Sequence, residues 1–429
     1  MKKIFLDEIS KNEIKNNLLK RNPASYSDYE TVVKEIVENV KNNGDKALLE
    51  YENKFDCPNI TSENMVVSSD EIEEAYRNTD ENLIRIIRKS KSNIEKFHEK
   101  QKRNSWFDME DGSILGQRIT PLNRVGVYVP GGKASYPSSV LMNIIPARVA
   151  GVSEIIMVTP PDKNNKINDL TLVAANEAGA YKIIKAGGAQ AISALAFGTE
   201  TVPKVDKIVG PGNIFVALAK KAVFGNVSID SIAGPSEIMV LCDDSCNPRF
   251  VAADLLSQAE HDELASAILV TTSERVAENV EKEINDFLPR LSRRDIIEKS
   301  LENFGYIIVA KNLDDAIDVV NDIASEHLEI QTENPTMVMT KIKNAGAIFL
   351  GPYSSEPLGD YMAGPNHVLP TNGTAKFFSP LSVDDFIKKS SVIYYSYEAL
   401  KNDADDIESF AKAEGLTAHA NSIEVRFEK

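Results

Sequence analysis

Short apolar runs alternate with helix-favouring stretches from residue 124 to residue 350, and this alternation constrains the fold most. The runs of a first series lie at residues 125–129, 154–158, 181–185 and 205–209. Those of a second series lie at residues 238–242, 266–270, 306–309 and 347–350. Alternation at this spacing predicts βαβ units, whose right-handed crossovers build parallel sheets. The expected fold is therefore α/β, with two incomplete Rossmann-like parallel-sheet domains.

The two series also indicate where domains begin and end. Residues 125–236 are predicted to form a Rossmann-like domain, and residues 21–124 together with 237–375 a discontinuous α/β domain. Residues 1–20 are expected to be a helical N-terminal arm. Residues 376–429 have a mixed pattern and are expected to form a small, separate C-terminal segment.

Local patterns predict single elements. Leu83, Ile87 and Ile94 recur at helical spacing among charged residues, which predicts an amphipathic helix. His98 follows on the same helix between charged neighbours and is predicted to be a solvated surface residue. Residues 422–426 are predicted to form a charged strand at the end of the chain.

The charge balance argues against some classes of function. The chain carries 48 Lys+Arg against 64 Asp+Glu, a formal net charge of −16. Proteins that bind nucleic acid or anionic membranes bring a basic patch to the phosphates, so neither partner is expected. No run is apolar enough for a signal peptide or a membrane span, and three scattered cysteines do not form a disulfide framework. A cytoplasmic location is expected.

Glycine-containing turns lie at the ends of predicted strands, at residues 128–140, 185–200, 209–215 and 233–238. Glycine allows close approach of the backbone to a ligand, and free N–H groups at a following helix N-terminus attract an anion. Each turn alone is explained as a tight βα connection, but four together favour a nucleotide or another large ligand. The strict G-x-G-x-x-G fingerprint is missing and no acidic residue is clearly placed for a ribose, so these patterns indicate a dinucleotide only weakly.

Histidines and carboxylates suggest a metal site. Gln258 and His261 are three residues apart on a predicted helix, so both side chains point to one face. Asp360 and His419 lie in other segments, and with His261 they offer N, O and N ligands. Such a set suits zinc better than magnesium or calcium. The alternative is that each histidine is a structural or surface residue.

Glu326 and His327 are adjacent at the predicted end of a helix. A carboxylate and an imidazole can act as general base and acid, but adjacent residues on a helix point in different directions. The pair is catalytic if it lies past the helix end or diverges around a substrate. Otherwise it is a surface acid beside a histidine that the helix dipole stabilises.

The order of the sequence blocks resembles that of the histidinol dehydrogenase family over nearly the whole chain. The blocks are YVPGG, SSVLM, GGAQAI, AFGTE, GPGN, AGPSE, LLSQAEHD, ASEHLEI, GDYMAGPNHVLPT and EGLTAHA. The resemblance implies a homodimer with one zinc per subunit. It also implies that L-histidinol is oxidised to L-histidine through L-histidinal, with reduction of two NAD, at the last step of histidine biosynthesis.

The resemblance also assigns roles to residues. Those that match zinc ligands are Gln258, His261, Asp360 and His419. These four are also expected at the substrate, together with Ser138, Ser236, His327, His367 and Glu414. Those that match NAD-binding positions are Tyr128, Gln190 and Asn213. Glu326 matches the residue that activates water, and His327 the acid–base of the pair. Since the family's C-terminal segment crosses to the partner subunit, Glu414 and His419 are expected to complete the neighbouring active site.

Three other functions compete with this one. A relative that oxidises another small polyol would use the same zinc and NAD, but it would not need Glu414 and His367 for an ammonium and an imidazole. A zinc hydrolase would use Glu326 to activate a metal-bound water, without NAD. A non-catalytic binding protein would not need any of the reactive positions.

Overall fold

The structure, a computed structural model, describes residues 1–21, 27–131, 136–232 and 234–428, with only the backbone given for Ser27 and Asp28. The chain divides into two compact units. Unit 1 consists of Met1–Gln101 and Leu122–Phe386, and unit 2 of Lys102–Pro121 and Ile387–Lys429. None of the helices in the described part of the chain is long and apolar enough to span a bilayer.

The strands and helices follow one another along the chain as listed here. The strands are β1 Lys2–Phe5, β2 Trp106–Glu110, β3 Ser113–Pro121, β4 Arg124–Tyr128, β5 Glu154–Thr159, β6 Lys182–Lys185, β7 Lys207–Val209, β8 Ser228–Ile229, β9 Glu237–Cys242, β10 Ser266–Thr271, β11 Gly305–Val309, β12 His327–Gln331, β13 Ala347–Leu350 and β14 Ile387–Tyr395. The helices are α1 Glu8–Leu19, α2 Ser27–Phe55, α3 Ser69–Asn78, α4 Glu81–Glu99, α5 Pro137–Ala150, α6 Asp169–Ala178, α7 Gly188–Phe197, α8 Ile214–Val223, α9 Pro248–Ala259, α10 Glu274–Phe287, α11 Arg294–Phe304, α12 Leu313–Ile323, α13 Pro335–Met339, α14 Glu356–Leu358, α15 Tyr397–Ala413 and α16 Thr417–Glu424. A single π-helical turn, Gly359–Ala363, directly follows α14.

Unit 1 contains two parallel sheets, which confirms the predicted α/β class. The five-stranded sheet has the order β6-β5-β4-β7-β8, and the six-stranded sheet has the order β1-β11-β10-β9-β12-β13. In the five-stranded sheet the strand order reverses between β4 and β7. Ligands of open α/β sheets bind beside the carboxyl ends of the strands at such a reversal. The switch point therefore places Tyr128 and Val209, the last residues of these two strands, next to a potential ligand site.

The N-terminal arm begins with a strand that the sequence did not predict. β1 pairs in parallel with β11, with Lys2 opposite Tyr306, and α1 follows behind a capping box made by Asp7 and Ser10. The prediction of a purely helical arm over residues 1–20 is therefore wrong for its first residues. An edge strand pairs on one side only, so its sequence need not carry the long apolar run of a central strand.

The helices between residues 27 and 99 pack against the five-stranded sheet and its helices. α2 packs on α7 and α8, α3 on α6, and α4 on α5. The residues of α2 share a hydrophobic core with this sheet, and so do those of α4. The domain boundaries predicted at residues 124 and 236 stay a prediction. The packing of residues 27–99 links them to the predicted Rossmann-like domain.

His98 is buried, and the prediction of a surface position is wrong. Its side chain has no exposed area, and its Nδ1 lies 2.8 Å from the carbonyl oxygen of Ile94. Asn366 Nδ2 lies 3.4 Å from its other ring nitrogen. The reason is the helix period: His98 follows Ile94 by one turn, so it shares the buried face of α4 that packs on α5. Burial lowers the pKa of His98.

Unit 2 combines an antiparallel sheet of order β14-β3-β2 with α15 and α16, which pack on each other. The turn between β2 and β3 is Asp111-Gly112, with φ of 44° and 83°, and an Asp-Gly pair is a strong sequence signal for such a hairpin. The charged strand predicted at residues 422–426 is wrong, because the chain there ends α16. Ala420, which is 1% exposed, faces the interior of the helical pair.

A buried ion pair anchors the start of β9. Arg21 Nη2 contacts Glu237 Oε1, while Arg21 Nη1 and Nε donate to the carbonyl oxygens of Leu264 and Leu18. The two charged side chains are 0% and 4% exposed. Removal of one partner from a buried pair leaves the other charge uncompensated.

We expect Arg21→Met to lower the free energy of unfolding by about 3 kcal/mol, because Glu237 would stay buried without its cation. Urea unfolding followed by circular dichroism measures the change. The matched control is Lys20→Met, which alters the exposed neighbouring residue. Equal stability of the two variants would contradict the anchoring role of Arg21.

Candidate active site

A cleft of about 380 Å³ in unit 1 contains most of the predicted site residues. Those that line it are Ser138, Asn213, Ser236, Gln258, His261, Glu326, His327, Asp360 and His367. One side of the cleft follows the carboxyl ends of β4 and β7, and includes Pro130 and Asn213. The other side lies at the amino ends of β9 and β12, because Ser236 directly precedes β9 and His327 begins β12.

The sequence pattern predicted that Glu326 and His327 close a helix, but the structure places them beyond its end. α12 ends at Ile323, and Ala324 adopts a left-handed conformation with φ of 56° that turns the chain into β12. His327 is the first residue of this strand, which lies between β9 and β13. The pair therefore lies past the helix end, the arrangement in which both side chains can serve one site.

The backbone of Glu237 holds both side chains of the pair. Its N–H donates to Glu326 Oε2 over 2.9 Å, and its carbonyl oxygen lies 3.0 Å from His327 Nδ1. A carbonyl oxygen only accepts, so Nδ1 carries the hydrogen and Nε2 is left as an acceptor. His327 Nε2 is buried and has no partner in the described structure. The imidazole thus presents a free basic nitrogen in the cleft.

Burial shifts the pKa values of the two groups in opposite directions. It raises the pKa of the Glu326 carboxyl well above its usual range, and it lowers the pKa of His327 to about 4. The negative charges of Glu237 and Asp360 raise the Glu326 value further. At neutral pH, His327 is therefore a neutral base, while Glu326 takes up a proton more readily than an exposed glutamate.

The predicted metal ligands of unit 1 lie together. Gln258 is 1% exposed in the last turn of α9, and its Oε1 is buried without a partner. His261 lies two residues past the end of that helix, not on it, and its N–H donates to the Gln258 carbonyl over 3.2 Å. Asp360 is in the π-helical turn, and its Oδ1 lies 3.4 Å from His367 Nδ1. Burial raises the pKa of Asp360, but the hydrogen bond and the charge of His367 outweigh it and lower the pKa.

Glu356 is a site residue that the sequence analysis missed. Among the residues that the structure describes, His327, Glu356 and Asp360 form a group whose ligand atoms lie within 4.8 Å of one another. Glu356 is 2% exposed and accepts a hydrogen bond from Ser257 over 3.2 Å. Burial, reinforced by the charge of Asp360, raises its pKa to about 8. The available signal was its spacing of four from Asp360, which places two carboxylates on one side of a helical turn.

A second cavity of about 590 Å³ is lined by Tyr128, Gln190 and Asn213, the three predicted cofactor residues. Tyr128 Oη accepts from the Gly188 N–H over 3.2 Å, and burial raises the pKa of this phenol. Asn213 Oδ1 caps α8 by accepting from two of its first N–H groups. Pro130 and Asn213 line both this cavity and the cleft.

The glycine turn at residues 209–215 needs a glycine at one position. Gly210 has φ of 111°, and a Cβ atom there would lie 2.0 Å from the carbonyl oxygen of Tyr128. This close approach joins the ends of β4 and β7 at the switch point. Parts of two other predicted turns, residues 132–135 and residue 233, lie outside the described residues. Residues 234–236 of the second of these turns lead directly into β9.

Glu414 and His419, the two remaining predicted residues, belong to unit 2. Glu414 caps the end of α15, and His419 lies in α16. Both are exposed. The structure therefore brings nine predicted residues together in the cleft and two more at the adjoining cavity. Glu414 and His419 lie in the other unit.

Fold and site together define an α/β enzyme with a buried acid–imidazole pair. The family model for histidinol dehydrogenase matches residues 19–427. A histidinol dehydrogenase from Clostridium acetobutylicum is 59% identical over 396 residues, which are 92% of this chain and 91% of the relative. One from Listeria monocytogenes is 54% identical over 420 residues, 97% of this chain and 98% of the relative.

A solved structure agrees with these sequence matches. The crystal structure of histidinol dehydrogenase from Elizabethkingia anophelis matches with a TM-score of 0.91 and 40% sequence identity. The match covers 99% of this chain and 98% of the chain in that crystal structure. The chain therefore belongs to the histidinol dehydrogenase family and is an oxidoreductase. The resemblance found in the sequence blocks is confirmed.

Proposed function

We propose that this enzyme oxidises L-histidinol to L-histidine through L-histidinal, with one zinc ion per subunit and two NAD reduced in turn. The observation that carries the proposal is the buried Glu326–His327 pair. The backbone N–H and carbonyl oxygen of Glu237 in β9 hold both side chains in the cleft. The relatives are histidinol dehydrogenases, which supports histidinol as the substrate, and the chemistry of the cleft suits the reaction.

The cleft offers a donor set that fits zinc. Gln258 Oε1 is a buried oxygen without a hydrogen-bond partner, and His261 and Asp360 line the same cleft. With His419, these residues would supply two nitrogen and two oxygen ligands, which zinc accepts. When bound, zinc would hold the imidazole of the substrate and polarise its hydroxyl group.

The adjoining cavity offers a place for NAD. Tyr128, Gln190 and Asn213 line it, and the capped N-terminus of α8 lies beside it. Helix N-termini attract phosphate groups, which matters because the net charge of −16 does not attract an anionic cofactor. When bound, NAD would accept one hydride in each half-reaction.

Two residues divide the proton transfers between them. In the first half-reaction, His327 Nε2 takes the proton of the substrate hydroxyl as a hydride leaves its carbon, and the aldehyde forms. In the second, Glu326 takes a proton from the water that adds to the aldehyde, and the anionic hydrate so formed loses a second hydride to give the acid. Ser138, Ser236 and His367 line the cleft as substrate contacts, and Glu414 would pair with the substrate ammonium.

One assay separates this function from its alternatives. Purified protein with zinc, NAD and L-histidinol should form two NADH for each histidine. NADH formation with other alcohols but not with histidinol would favour a polyol dehydrogenase. Hydrolysis without NAD would favour a zinc hydrolase, and no turnover of any kind would favour a binding protein.

We further propose a homodimer in which Glu414 and His419 complete the active site of the partner subunit. In a closed two-fold dimer, each site then needs residues from both chains. His419→Ala and His327→Ala chains should each be inactive alone. A heterodimer of the two has one intact site, so its activity should return to about half of the wild-type value.

Co-expression with two affinity tags isolates the verified heterodimer for this measurement. A second heterodimer, of His419→Ala and Gln258→Ala chains, should give the same result. It also retains one intact site if His419 acts in trans. Absence of activity in both heterodimers would show that His419 serves its own chain.

A further inference from the structure

The cavity beside the cleft has mostly apolar walls and one carboxylate. Its lining includes the apolar side chains of Val32, Ile36 and Phe215 as well as Asp56. Asp56 is the only carboxylate among the described residues that line the cavity, and none of them is a lysine or an arginine. Among the described lining residues, a ligand group that faces Asp56 therefore meets an acceptor of hydrogen bonds and no cation.

A network of hydrogen bonds fixes Asp56. Gln190 Nε2 donates to Asp56 Oδ2 over 3.3 Å and to Glu52 Oε1 over 3.0 Å. Glu52 Oε1 also accepts from the Gly187 N–H over 2.9 Å, so the network includes the glycine turn before α7. Glu52 lies in the last turn of α2, and Asp56, the residue directly after the helix, donates its N–H to the Glu52 carbonyl oxygen over 3.0 Å.

Of this acidic pair, Asp56 keeps its charge more readily than Glu52. Glu52 has no exposed area, whereas Asp56 is partly exposed. Burial raises the pKa of both carboxyls, and the charge of Asp56 raises that of Glu52 further, while hydrogen bonds from Glu52 and Gln190 lower that of Asp56. Two adjacent carboxyls that hold one proton keep it on the more buried member. The anionic member is then the one that lines the cavity.

The position of the reacting pair decides which half of NAD enters this cavity. Glu326 and His327 line the cleft, so the nicotinamide must reach the cleft to take the hydride. The cleft and the cavity meet at Pro130 and Asn213. The adenosine half therefore extends into the second cavity, where Val32, Ile36 and Phe215 offer apolar surface to a purine ring.

We propose that Asp56 selects NAD against NADP: its carboxylate accepts a hydrogen bond from the adenosine ribose and repels a 2′-phosphate. The inference rests on the proposed use of NAD. It assigns to Asp56, directly after α2, the role that an acidic residue within the βαβ unit serves in the fingerprint proteins. Asp56 is a specificity residue here and takes no part in the proton transfers.

The test uses two fragments of the cofactors, 5′-AMP and adenosine 2′,5′-bisphosphate, whose binding to the full chain is measured by calorimetry. We expect wild-type protein to bind AMP about tenfold more tightly than the bisphosphate. Asp56→Asn should weaken AMP binding about tenfold and bring the two affinities close together, since a charged acceptor is lost. Asp56→Ser, which leaves more room, should shift the preference toward the bisphosphate.

Glu50→Gln is the matched control, because it removes an acid from the exposed side of α2, and its affinities should equal those of the wild type. Thermal unfolding identifies any variant that does not fold. If one of the two Asp56 variants does not fold, the affinities of the other variant test the role of Asp56. A wild-type ratio of affinities retained in folded Asp56 variants would overturn the role of Asp56 alone. Failure of the wild type to bind either AMP or NAD would overturn the proposed cofactor as well.

Discussion

Glu326→Gln protein is expected to oxidise L-histidinol to the aldehyde at a nearly unchanged rate and to convert the aldehyde to histidine about a thousandfold more slowly. The amide can still accept the hydrogen bond from the Glu237 N–H, so the local structure should persist, but it cannot take a proton from water. Single-turnover NADH formation, with histidinol and with histidinal as the starting compound, measures the two half-reactions separately.

The matched control for this variant is Glu333→Gln, which removes an exposed carboxylate just beyond β12. Its two half-reactions should proceed as in the wild type. Equal losses in both half-reactions of the Glu326→Gln protein would be incompatible with a role confined to the activation of water.

The pH dependence of the second half-reaction should reveal the same residue. Burial raises the pKa of Glu326, and a base acts only when deprotonated, so the rate should fall as the pH decreases through that raised pKa. The residual rate of the Glu326→Gln protein should lack this dependence. A pH profile shared by both proteins would assign the titration to another group.

His327→Asn should slow the first half-reaction about a thousandfold. The asparagine amide can donate to the Glu237 carbonyl in place of Nδ1, but it has no basic nitrogen at the position of Nε2. Rapid mixing with histidinol and NAD measures the loss as a missing burst of NADH. A loss of only a few-fold would mean that the hydroxyl proton leaves by another route.

A double variant tests whether the two residues act in separate steps. If they do, the first half-reaction of the Glu326→Gln, His327→Asn protein should resemble that of His327→Asn alone. A further loss in this step would mean that both residues act in it as a unit.

The alternation of the sequence predicted the two parallel sheets because buried parallel strands have nearly continuous apolar runs. β12 was missed because its sequence, HLEIQ, follows the helical pattern of α12 without a glycine or proline between them. The only boundary is Ala324 in a left-handed conformation, which no sequence rule assigns to alanine. The same missed boundary placed Glu326 and His327 on a helix.

The site residues were predicted where a family block carries them, and missed where only the tertiary structure does. Glu356 has no motif of its own, and its burial against Ser257 depends on the packing of two distant segments. The role of Glu237 in holding Glu326 and His327 belongs to its backbone, so the identity of its side chain gives no signal. Asp56 precedes Tyr128 by 72 residues, far outside the spacing of the fingerprint.

Pro130 and Asn213 lie where the cleft and the second cavity meet. On the proposed chemistry, one molecule of substrate must wait while a spent cofactor is exchanged for a fresh one. On the same proposal, the spent cofactor would leave through the second cavity while the substrate stays in the cleft. The reactive aldehyde would then remain with the enzyme between its two oxidations, protected from the amines and thiols of the surrounding solution.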